Sequence, residues 1–412
     1  MNMALPSPSA APAEAAALSG RAAVIAVSAQ TILMFALTTL PTPLYPDYAK
    51  AFGFDVLTLT LIYATYVAGT LSTLLLLGRL SDQIGRRAVS LSAIALAAVA
   101  AVLFLVARGP AMLFAARLVT GIAAGLSSGT AVAWLRELHG KEDARRGMLV
   151  SVAANTFGLG LGPLLCGVLV QTGTAPLVLP FAVYIALIAV LAFAIDRTEE
   201  TVARERSWAE LKLRPRIGVP AGKRTAFLAP GVTTFVIYSL TGFYSAIAPG
   251  LMASKVHIAS HAVASAIVAG YFLVAVAAGL FGARLSARRA MIWGAVLMLP
   301  ALALLVRVEM SGNVIALLLG TAVGGVSLGL GWRGALEVTG GLADGDKRSE
   351  VISMLFVCGN LGMALPVIGI GVLSGAAGSA TATLAFAGVI ALLSAGGAAF
   401  GLWGGRGSGR EA

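Results

Sequence analysis

A ten-residue stretch, residues 78–87, places charged side chains between two long apolar runs and reads Gly-Arg-Leu-Ser-Asp-Gln-Ile-Gly-Arg-Arg. Its acid can form an ion pair with either arginine at its end, or it can cap a nearby helix N-terminus, where the helix dipole favours an anion. Its glycines permit a tight turn and close packing of helices. The chemistry of such a cluster is the making and breaking of ion pairs, which predicts a gating switch. The residues assigned to the switch are Gly78, Asp82, Gly85, Arg86 and Arg87.

Arg117 is a second candidate for charge chemistry because it lies inside the apolar run 111–134. An arginine within a membrane needs an anion, backbone carbonyl groups or water. The best-placed acid is Asp47, at the outer end of the first apolar run, since no Asp or Glu lies deep within any run. Three interpretations stay open. Asp47 titrates while Arg117 tunes its pKa, Arg117 binds an anionic part of a ligand, or Arg117 has a structural role.

Twelve apolar stretches must position these groups. The chain has 412 residues, of which 58% are hydrophobic and 11% charged, whereas soluble domains carry roughly 25% charged residues. Each stretch is close to the roughly 20 residues that cross a bilayer as a helix, and lipid offers the backbone of any other structure no hydrogen-bond partners. The sequence therefore predicts an all-α integral membrane protein. Its spans one to twelve are residues 22–44, 56–78, 88–107, 111–134, 147–170, 176–195, 227–250, 262–283, 290–307, 312–336, 350–374 and 380–403.

The distribution of basic residues predicts the orientation of the spans. If the N-terminus is cytoplasmic, all but five of the 29 Lys and Arg residues lie on the cytoplasmic side. The exceptions are Lys50, Arg108, Arg117, Lys255 and Arg307. This asymmetry predicts a multi-pass protein of the inner (plasma) membrane with both termini in the cytoplasm. The net charge of +11 is then an orientation signal that faces anionic lipid, and it does not indicate a nucleic-acid partner.

The two halves of the chain repeat each other. Thr31, Thr38 and Thr42 of span one recur in span seven at an offset of 203, as Thr234, Thr241 and Ser245. Such a match in the correct order indicates a duplicated six-helix unit. The predicted organisation is a flexible tail over residues 1–20, a six-helix bundle over 21–195, a cytoplasmic linker over 196–226, a second bundle over 227–403 and a tail over 404–412.

The repeated hydroxyl residues predict a polar path. Steps of seven and four residues keep each set on one helix face, and a polar face is tolerated toward the bundle interior but is costly toward lipid. Gln30 and Tyr238 extend the two faces. The alternative is that the Ser and Thr hydroxyls bond only to their own backbone carbonyls. The predicted substrate path consists of Gln30, Thr31, Thr38, Thr42, Thr234, Tyr238, Thr241 and Ser245.

Span five carries small residues and a proline at helical spacing, namely Gly158, Gly162, Pro163 and Gly167. Small residues permit close packing between membrane helices, and a proline kinks a helix by removing one backbone donor. The pattern predicts a tightly packed, bent helix.

Three of these motifs resemble those of the major facilitator superfamily. Residues 78–87 are similar to the loop between its second and third helices, and Arg117 with the glycines that follow is similar to its span-four motif. The span-five run resembles the signature of its drug and metabolite antiporters, except that Cys166 stands where a glycine is usual. The resemblance implies two pseudo-symmetric six-helix bundles that rock about a central site.

The resemblance also implies roles for the charged motifs. The 78–87 cluster would latch the two halves on the cytoplasmic side, with Asp82 meeting the start of span eleven near Ser349 and Glu350. The second-half copy, residues 282–289, has lost the acid, so the latch would be one-sided. Arg117 would take part in proton transfer. The lack of an acid midway along any span leaves open a protein that is only loosely coupled to protons.

The function predicted from these observations is a secondary-active exporter of small amphipathic compounds, working as a monomer and driven by the proton gradient. An importer or facilitator of a sugar or another small metabolite is the alternative, and a membrane sensor or scaffold is a remote one. An enzyme is not expected, because the spans carry no nucleophile arrangement, metal cluster or carboxylate pair. No ATP-binding loop of the type Gly-x-x-x-x-Gly-Lys-Ser/Thr is present, and no cofactor or metal is expected.

Overall fold

The computed structural model describes residues 18–78, 80–140, 143–173, 175–202, 218–343 and 346–403. Most of the predicted N-terminal tail, the C-terminal tail and residues 203–217 of the predicted linker lie outside the described residues, as does Arg79.

The described chain is helical, as predicted. Within it, eleven helices are long and apolar enough to cross a membrane. The last of them consists of two spans, because Gly378 breaks the helix with a φ of 83°. The helices are Gly20–Thr39 (span one), Val56–Leu77 (two), Arg86–Leu105 (three), Pro110–Leu138 (four), Ala144–Val170 (five), Leu179–Asp196 (six), Arg224–Ala246 (seven), His261–Phe281 (eight), Ala287–Ser311 (nine), Val314–Gly340 (ten) and Asp346–Trp403 (eleven and twelve).

Spans one and seven end earlier than predicted, and both are followed by a short separate helix. Tyr45–Phe52 follows span one and Ala248–Ser254 follows span seven. Each short helix has a proline in its first turn, Pro46 or Pro249, where the missing N–H costs no hydrogen bond. The two breaks occupy equivalent places in the repeat, so the internal symmetry includes the interruption as well as the spans.

Each half has an apolar core of its own. In the first half, spans one to six, the rings of Phe104 and Phe181 stack with centroids 4.9 Å apart. In the second half, spans seven to twelve, Tyr244 and Tyr271 stack at 4.3 Å. The halves meet where span five packs on span eight and where span two packs on span eleven. The architecture is therefore two pseudo-symmetric six-helix bundles.

Successive spans run in alternate directions, so the connecting loops lie on two faces of the protein. The basic face carries Arg86, Arg136, Arg197, Arg288 and Arg348. The opposite face carries Asp47, Arg108, Gln171, Lys255 and Asn313.

Candidate functional site

A cleft of about 630 Å³, counted with its open mouth, lies between the two halves. Spans five, seven, eight and ten form its walls, which run from Leu159 and Thr241 in the middle of the spans to Leu149 and Leu280 near the basic face. The cleft is therefore a recess between the halves that opens to solvent.

The cleft is mostly apolar and carries an aromatic corner. Trp332 meets Tyr238 at 5.3 Å between ring centroids and meets Phe356 at 5.2 Å, both in edge-to-face geometry. Neutral polar groups come from Asn155 and Thr156. Such a surface can hold an apolar ring and a few hydrogen-bonding groups.

The charge in the lining comes from Arg333, whose guanidinium already has protein partners. Arg333 Nη2 donates to Leu285 O at 2.8 Å, and Nη1 lies 3.4 Å from Glu337 Oε1. Arg333 and Glu337 thus form a pair four residues apart on span ten.

Two of the eight residues predicted for the substrate path, Tyr238 and Thr241, line this cleft. Thr31, Thr38 and Thr241 donate to carbonyl oxygens three or four residues earlier in their own helices. This is the alternative considered for them in the sequence, although Thr241 also contacts Tyr271 Oη at 3.0 Å. For these hydroxyls the backbone is a sufficient partner.

Gln30 and Thr234 differ from the other path residues in their hydrogen bonding. Both are fully buried, and their side-chain polar atoms have no hydrogen-bond partner among the described residues. Buried polar side chains are seldom left without a partner.

At the opposite face, polar contacts join the two halves. Thr42 Oγ1 donates to Ser245 O at 2.9 Å, so two path residues at equivalent places in the repeat meet across the interface. Asp47 Oδ2 lies 2.9 Å from His261 Nε2, with about a third of each side chain exposed. Ser260 Oγ lies 3.2 Å from Gln171 Oε1. The opposite ends of the two bundles are therefore held together.

Arg117 is fully buried in the first half, where its two terminal nitrogens find partners other than a carboxylate and its Nε makes no hydrogen bond among the described residues. Its Nη1 donates to Thr38 O at 2.5 Å and its Nη2 donates to Tyr45 Oη. The rings of Tyr45, Tyr63 and Phe104 surround it with centroids 5.2–5.8 Å from Cζ. Aromatic faces attract a guanidinium, and the attraction grows when water is excluded.

Asp47 and Arg117 form no ion pair in the structure, so the pairing considered from the sequence is not made. The reason is the break after Thr39. Asp47 belongs to the short helix Tyr45–Phe52, which does not continue span one, and its carboxylate pairs with His261 of the second half.

At the basic face, Arg86 is the centre of the predicted switch. Its Nη1 lies 2.5 Å from Asp82 Oδ1, which is the predicted ion pair. Its Nη2 and Nε donate to the two carboxylate oxygens of Glu137 at 2.7 and 3.2 Å. Bidentate pairs of this kind are among the stronger ionic contacts in proteins. The loop is therefore tied to the end of span four.

Glu200 completes this cluster and was not recognised in the sequence. Its two carboxylate oxygens accept hydrogen bonds from the backbone N–H groups of Arg86 and Arg87 at 2.8 and 2.9 Å, so Glu200 caps span three. Gly85 makes this possible, because its φ is 101° and a Cβ there would lie 2.6 Å from Glu200 Oε2. Glu200 was one of several acids in the linker, with no local signal to single it out.

The expected contact of Asp82 with the start of span eleven stays a prediction, since the side chain of Ser349 lies outside the described residues. The second-half loop is held differently. Arg288 donates to the carbonyl oxygens of Gly401 and Leu402, where the first-half loop uses carboxylates.

A family model described as Major Facilitator Superfamily matches residues 27–247, which is more than half of the chain. The chain belongs to the Major Facilitator Superfamily. It is therefore a multi-pass membrane protein of a family of transporters, which agrees with the cleft between its halves. Among curated proteins, none matches the chain closely enough to count as a relative.

Two solved structures share the fold of this superfamily member. The human organic anion transporter MFSD10 (TETRAN) is 19% identical with a TM-score of 0.65, and the alignment covers 91% of this chain and 98% of that one. A mutant of the nucleoside transporter NupG is 17% identical with a TM-score of 0.68, covering 92% and 99%. At these identities the likeness concerns the fold.

The span-five glycines of this superfamily member pack that helix between both halves. A Cβ on Gly158 or Gly162 would collide with the carbonyl oxygens of Ile32 or Ala36 in span one. A Cβ on Gly167 would collide with Ser265 Oγ in span eight. Pro163 lies inside the helix, as predicted.

Glu309 is a buried acid in the last turn of span nine. Span nine runs to Ser311, four residues beyond its predicted end, and Glu309 is 4% exposed. Lys255 Nζ lies 3.1 Å from its carboxylate, and Ser379 Oγ and Thr383 Oγ1 donate to it at 2.9 and 3.3 Å. The charge is thus compensated within the second half.

Proposed function

We propose that this protein is a secondary-active exporter of small amphipathic compounds that works by alternating access. The observation that carries the proposal is the cleft between the halves. It reaches the basic face, while Thr42, Asp47 and Gln171 hold the halves together at the opposite face. With the basic face in the cytoplasm, as the positive-inside rule predicts, this is the state that takes up substrate from the cell.

Transport in this proposal is a rocking of two nearly rigid bundles. Each bundle has its own aromatic core, and at the opposite face polar contacts such as Thr42 with Ser245 and Asp47 with His261 join the bundles beside close packing of span two on span eleven. Breaking those contacts would open the cleft to the outside. The 78–87 cluster, with Asp82 meeting the start of span eleven, would then latch the basic face shut, as the resemblance implies. Binding of substrate to both states is what couples the motion to transport.

The lining supports an amphipathic substrate rather than a sugar. A sugar presents several hydroxyl groups, and each loses water on binding unless the protein replaces it. The described lining offers few free polar groups beside its leucines, valines and aromatic rings. The span-five motif, which resembles that of antiporters, supports export as the direction.

Proton coupling and a monomeric state in the inner membrane, with both termini cytoplasmic, complete the proposal. Asp47 and His261 are titratable groups that meet where the halves join. Arg117 contacts Tyr45, two residues before Asp47, so the conformation of this short helix links the buried cation to the joint. Proton uptake by Asp47 or His261 would therefore change a contact between the two bundles.

The test uses inverted membrane vesicles from cells that overproduce the full chain. A panel of compounds is first chosen by changed tolerance of deletion and overproduction strains. We expect vesicles to accumulate these compounds when a proton gradient is imposed, and Asp47→Asn and Arg117→Ala to lower the rate. The exposed helix-capping residue Asp55 supplies the control, since Asp55→Asn should leave the rate unchanged. Accumulation that persists unchanged after the gradient is collapsed would exclude proton antiport, and accumulation only in right-side-out vesicles would indicate an importer.

A further inference from the structure

The aromatic corner of the cleft offers ring surface to a ligand. Tyr238 and Trp332 both line the cleft, and both are partly exposed rather than buried in a core. Trp332 meets Tyr238 and Phe356 at interplanar angles of 68° and 67°, so the three rings hold one another in fixed orientations. Aromatic pairs in such geometry add to the energy of simple burial. A flat ring in the cleft would gain the same kind of contact.

Charge is the second determinant of what the cleft accepts. In the described lining the one ionisable side chain with a permanent charge is Arg333. Its Nη2 and Nη1 are engaged by Leu285 O and Glu337, and its Nε, which has no hydrogen-bond partner among the described residues, is buried out of reach of a ligand. A charged ligand would lose water without gaining a counter-charge, which is costly in apolar surroundings. Arg117 supplies none, because it is fully buried in the first half. The cleft therefore disfavours both cations and anions.

The third determinant is hydrogen-bonding capacity that the protein leaves unused. The amide of Asn155, the hydroxyl of Tyr238 and the indole N–H of Trp332 make no hydrogen bond among the described residues. The hydroxyl of Thr156, by contrast, donates to Val152 O at 3.0 Å. An amide both donates and accepts, so Asn155 can serve a carbonyl or an amine of a ligand.

We infer that the cleft selects uncharged, planar aromatic compounds carrying an amide, carbonyl or hydroxyl group. The ring lies against Tyr238 and Trp332, and the polar group bonds to Asn155. This inference deepens the proposed function by naming the substrate class of the same site. It also differs from a general preference for amphipathic compounds, because many of those are cationic.

The test compares three probes with the same ring and different charge: naphthalene-2-carboxamide, 2-naphthoate and 2-naphthylmethylammonium. Binding to the full chain in lipid nanodiscs is measured by equilibrium dialysis and by quenching of tryptophan fluorescence. We expect the carboxamide to bind at least about tenfold more tightly than either ion. Asn155→Leu should weaken it by about tenfold, the loss of one hydrogen bond, while Asn155→Gln should retain most of the affinity. Trp332→Leu should abolish the quenching that wild type shows.

Thr65→Val is the control, because Thr65 lies in span two outside the cleft and its hydroxyl returns to Leu61 O. Thermal unfolding confirms that each variant is folded. Equal or tighter binding of an ion, or an Asn155→Leu variant that binds like Thr65→Val, would overturn the inference. Binding of the carboxamide without its movement in vesicles would refute export and leave the substrate class standing. Export of panel compounds by a protein that prefers an ionic probe would support export and refute the substrate class.

Discussion

Arg117 is a buried cation whose partners are one carbonyl oxygen, one phenol and three aromatic rings. Its guanidinium is planar and presents donors in a fixed fork, so it reaches Thr38 O and Tyr45 Oη at once. Those two residues belong to different helices at the end of span one. Arg117 thus ties span four to both sides of the break that separates Thr39 from Tyr45.

Arg117→Lys tests this role, because a lysine keeps the charge but lacks the fork. We expect the variant to lose about 1–3 kcal/mol of unfolding free energy, the usual cost of breaking buried charged hydrogen bonds. Thermal unfolding in detergent measures the loss. Tyr45→Phe, which keeps the ring and removes one acceptor, should cost less. A lysine variant as stable as wild type would show that charge alone suffices.

Gly85 is the second residue at which local geometry decides what is tolerated. Its φ of 101° is unfavourable for other residues, and Glu200 occupies the space of a side chain. Gly53 has a positive φ of 66° with nothing within 4 Å of a Cβ. A side chain at Gly53 would therefore meet backbone strain alone, whereas a side chain at Gly85 would meet backbone strain and a collision with Glu200.

We expect Gly53→Ala to cost about 1 kcal/mol, from the left-handed backbone alone. Gly85→Ala should cost distinctly more, because Glu200 must also move and release the N–H groups of Arg86 and Arg87. Thermal unfolding of both variants gives the comparison. Equal losses would mean that Glu200 moves aside without a penalty.

At the scale of elements, the start of span three is held by the segment that follows span six, the last span of the first half. Glu200 follows span six, and the same segment is anchored by Trp134 Nε1, which donates to Glu199 O at 3.2 Å. Leu18, just before span one, exchanges backbone hydrogen bonds with Arg197 and Glu199. Spans one, three, four and six are therefore joined at the basic face, which makes the first half a single unit on the side where the switch lies.

Glu200→Ala should lower the free energy of unfolding by about 1–2 kcal/mol, since two backbone N–H groups lose a charged acceptor. Glu199→Ala is the matched control, because the described contacts of Glu199 use its backbone. Hydrogen exchange of the first turn of span three should rise in the Glu200 variant only. Similar exchange in both variants would argue against capping by the Glu200 side chain.

At the scale of the whole molecule, the two bundles are joined by different chemistry at their two faces. The opposite face uses single contacts between the halves, such as Asp47 with His261 and Thr42 with Ser245. At the basic face, the carboxylates that pair with Arg86 are those of Asp82 and Glu137, and both belong to the first half. A half-exposed ion pair contributes at most about 1 kcal/mol, so the pair of Asp47 with His261 by itself adds little to the closure of the opposite face.

Asp47→Asn should shift the population toward opening of the opposite face by up to about fivefold, which corresponds to the loss of one such pair. Spin labels at Arg108→Cys and Ser311→Cys, in a chain without Cys166 and Cys358, report the distance between the outer ends of the two halves. Lys50→Gln, on the same short helix as Asp47, should leave the distances unchanged. A distance distribution that Asp47→Asn does not alter would show that the pair does not hold the face closed.

Much of the fold could be predicted because it depends on local properties. Twelve spans and their duplication follow from hydropathy and from repeats such as Thr38 with Thr241. The pair of Asp82 and Arg86 is also local, four residues apart on the chain. Helix ends were less accurate, because Pro41 and Pro43 after span one and Pro249 after span seven interrupt helices that hydropathy alone would have continued.

The partners of the functional residues were decided only in three dimensions. Asp47 and His261 are 214 residues apart, and Glu200 lies 114 residues from the N–H group of Arg86 that it caps. A sequence shows which side chains need partners, since a buried charge or an open helix end must be satisfied. It does not show which of several acids or rings the packing of twelve helices brings within reach. The sequence by itself therefore determined the twelve spans, the repeat and the local pair of Asp82 with Arg86, whereas the tertiary structure decided the aromatic setting of Arg117, the cap on span three and the contacts that join the two halves.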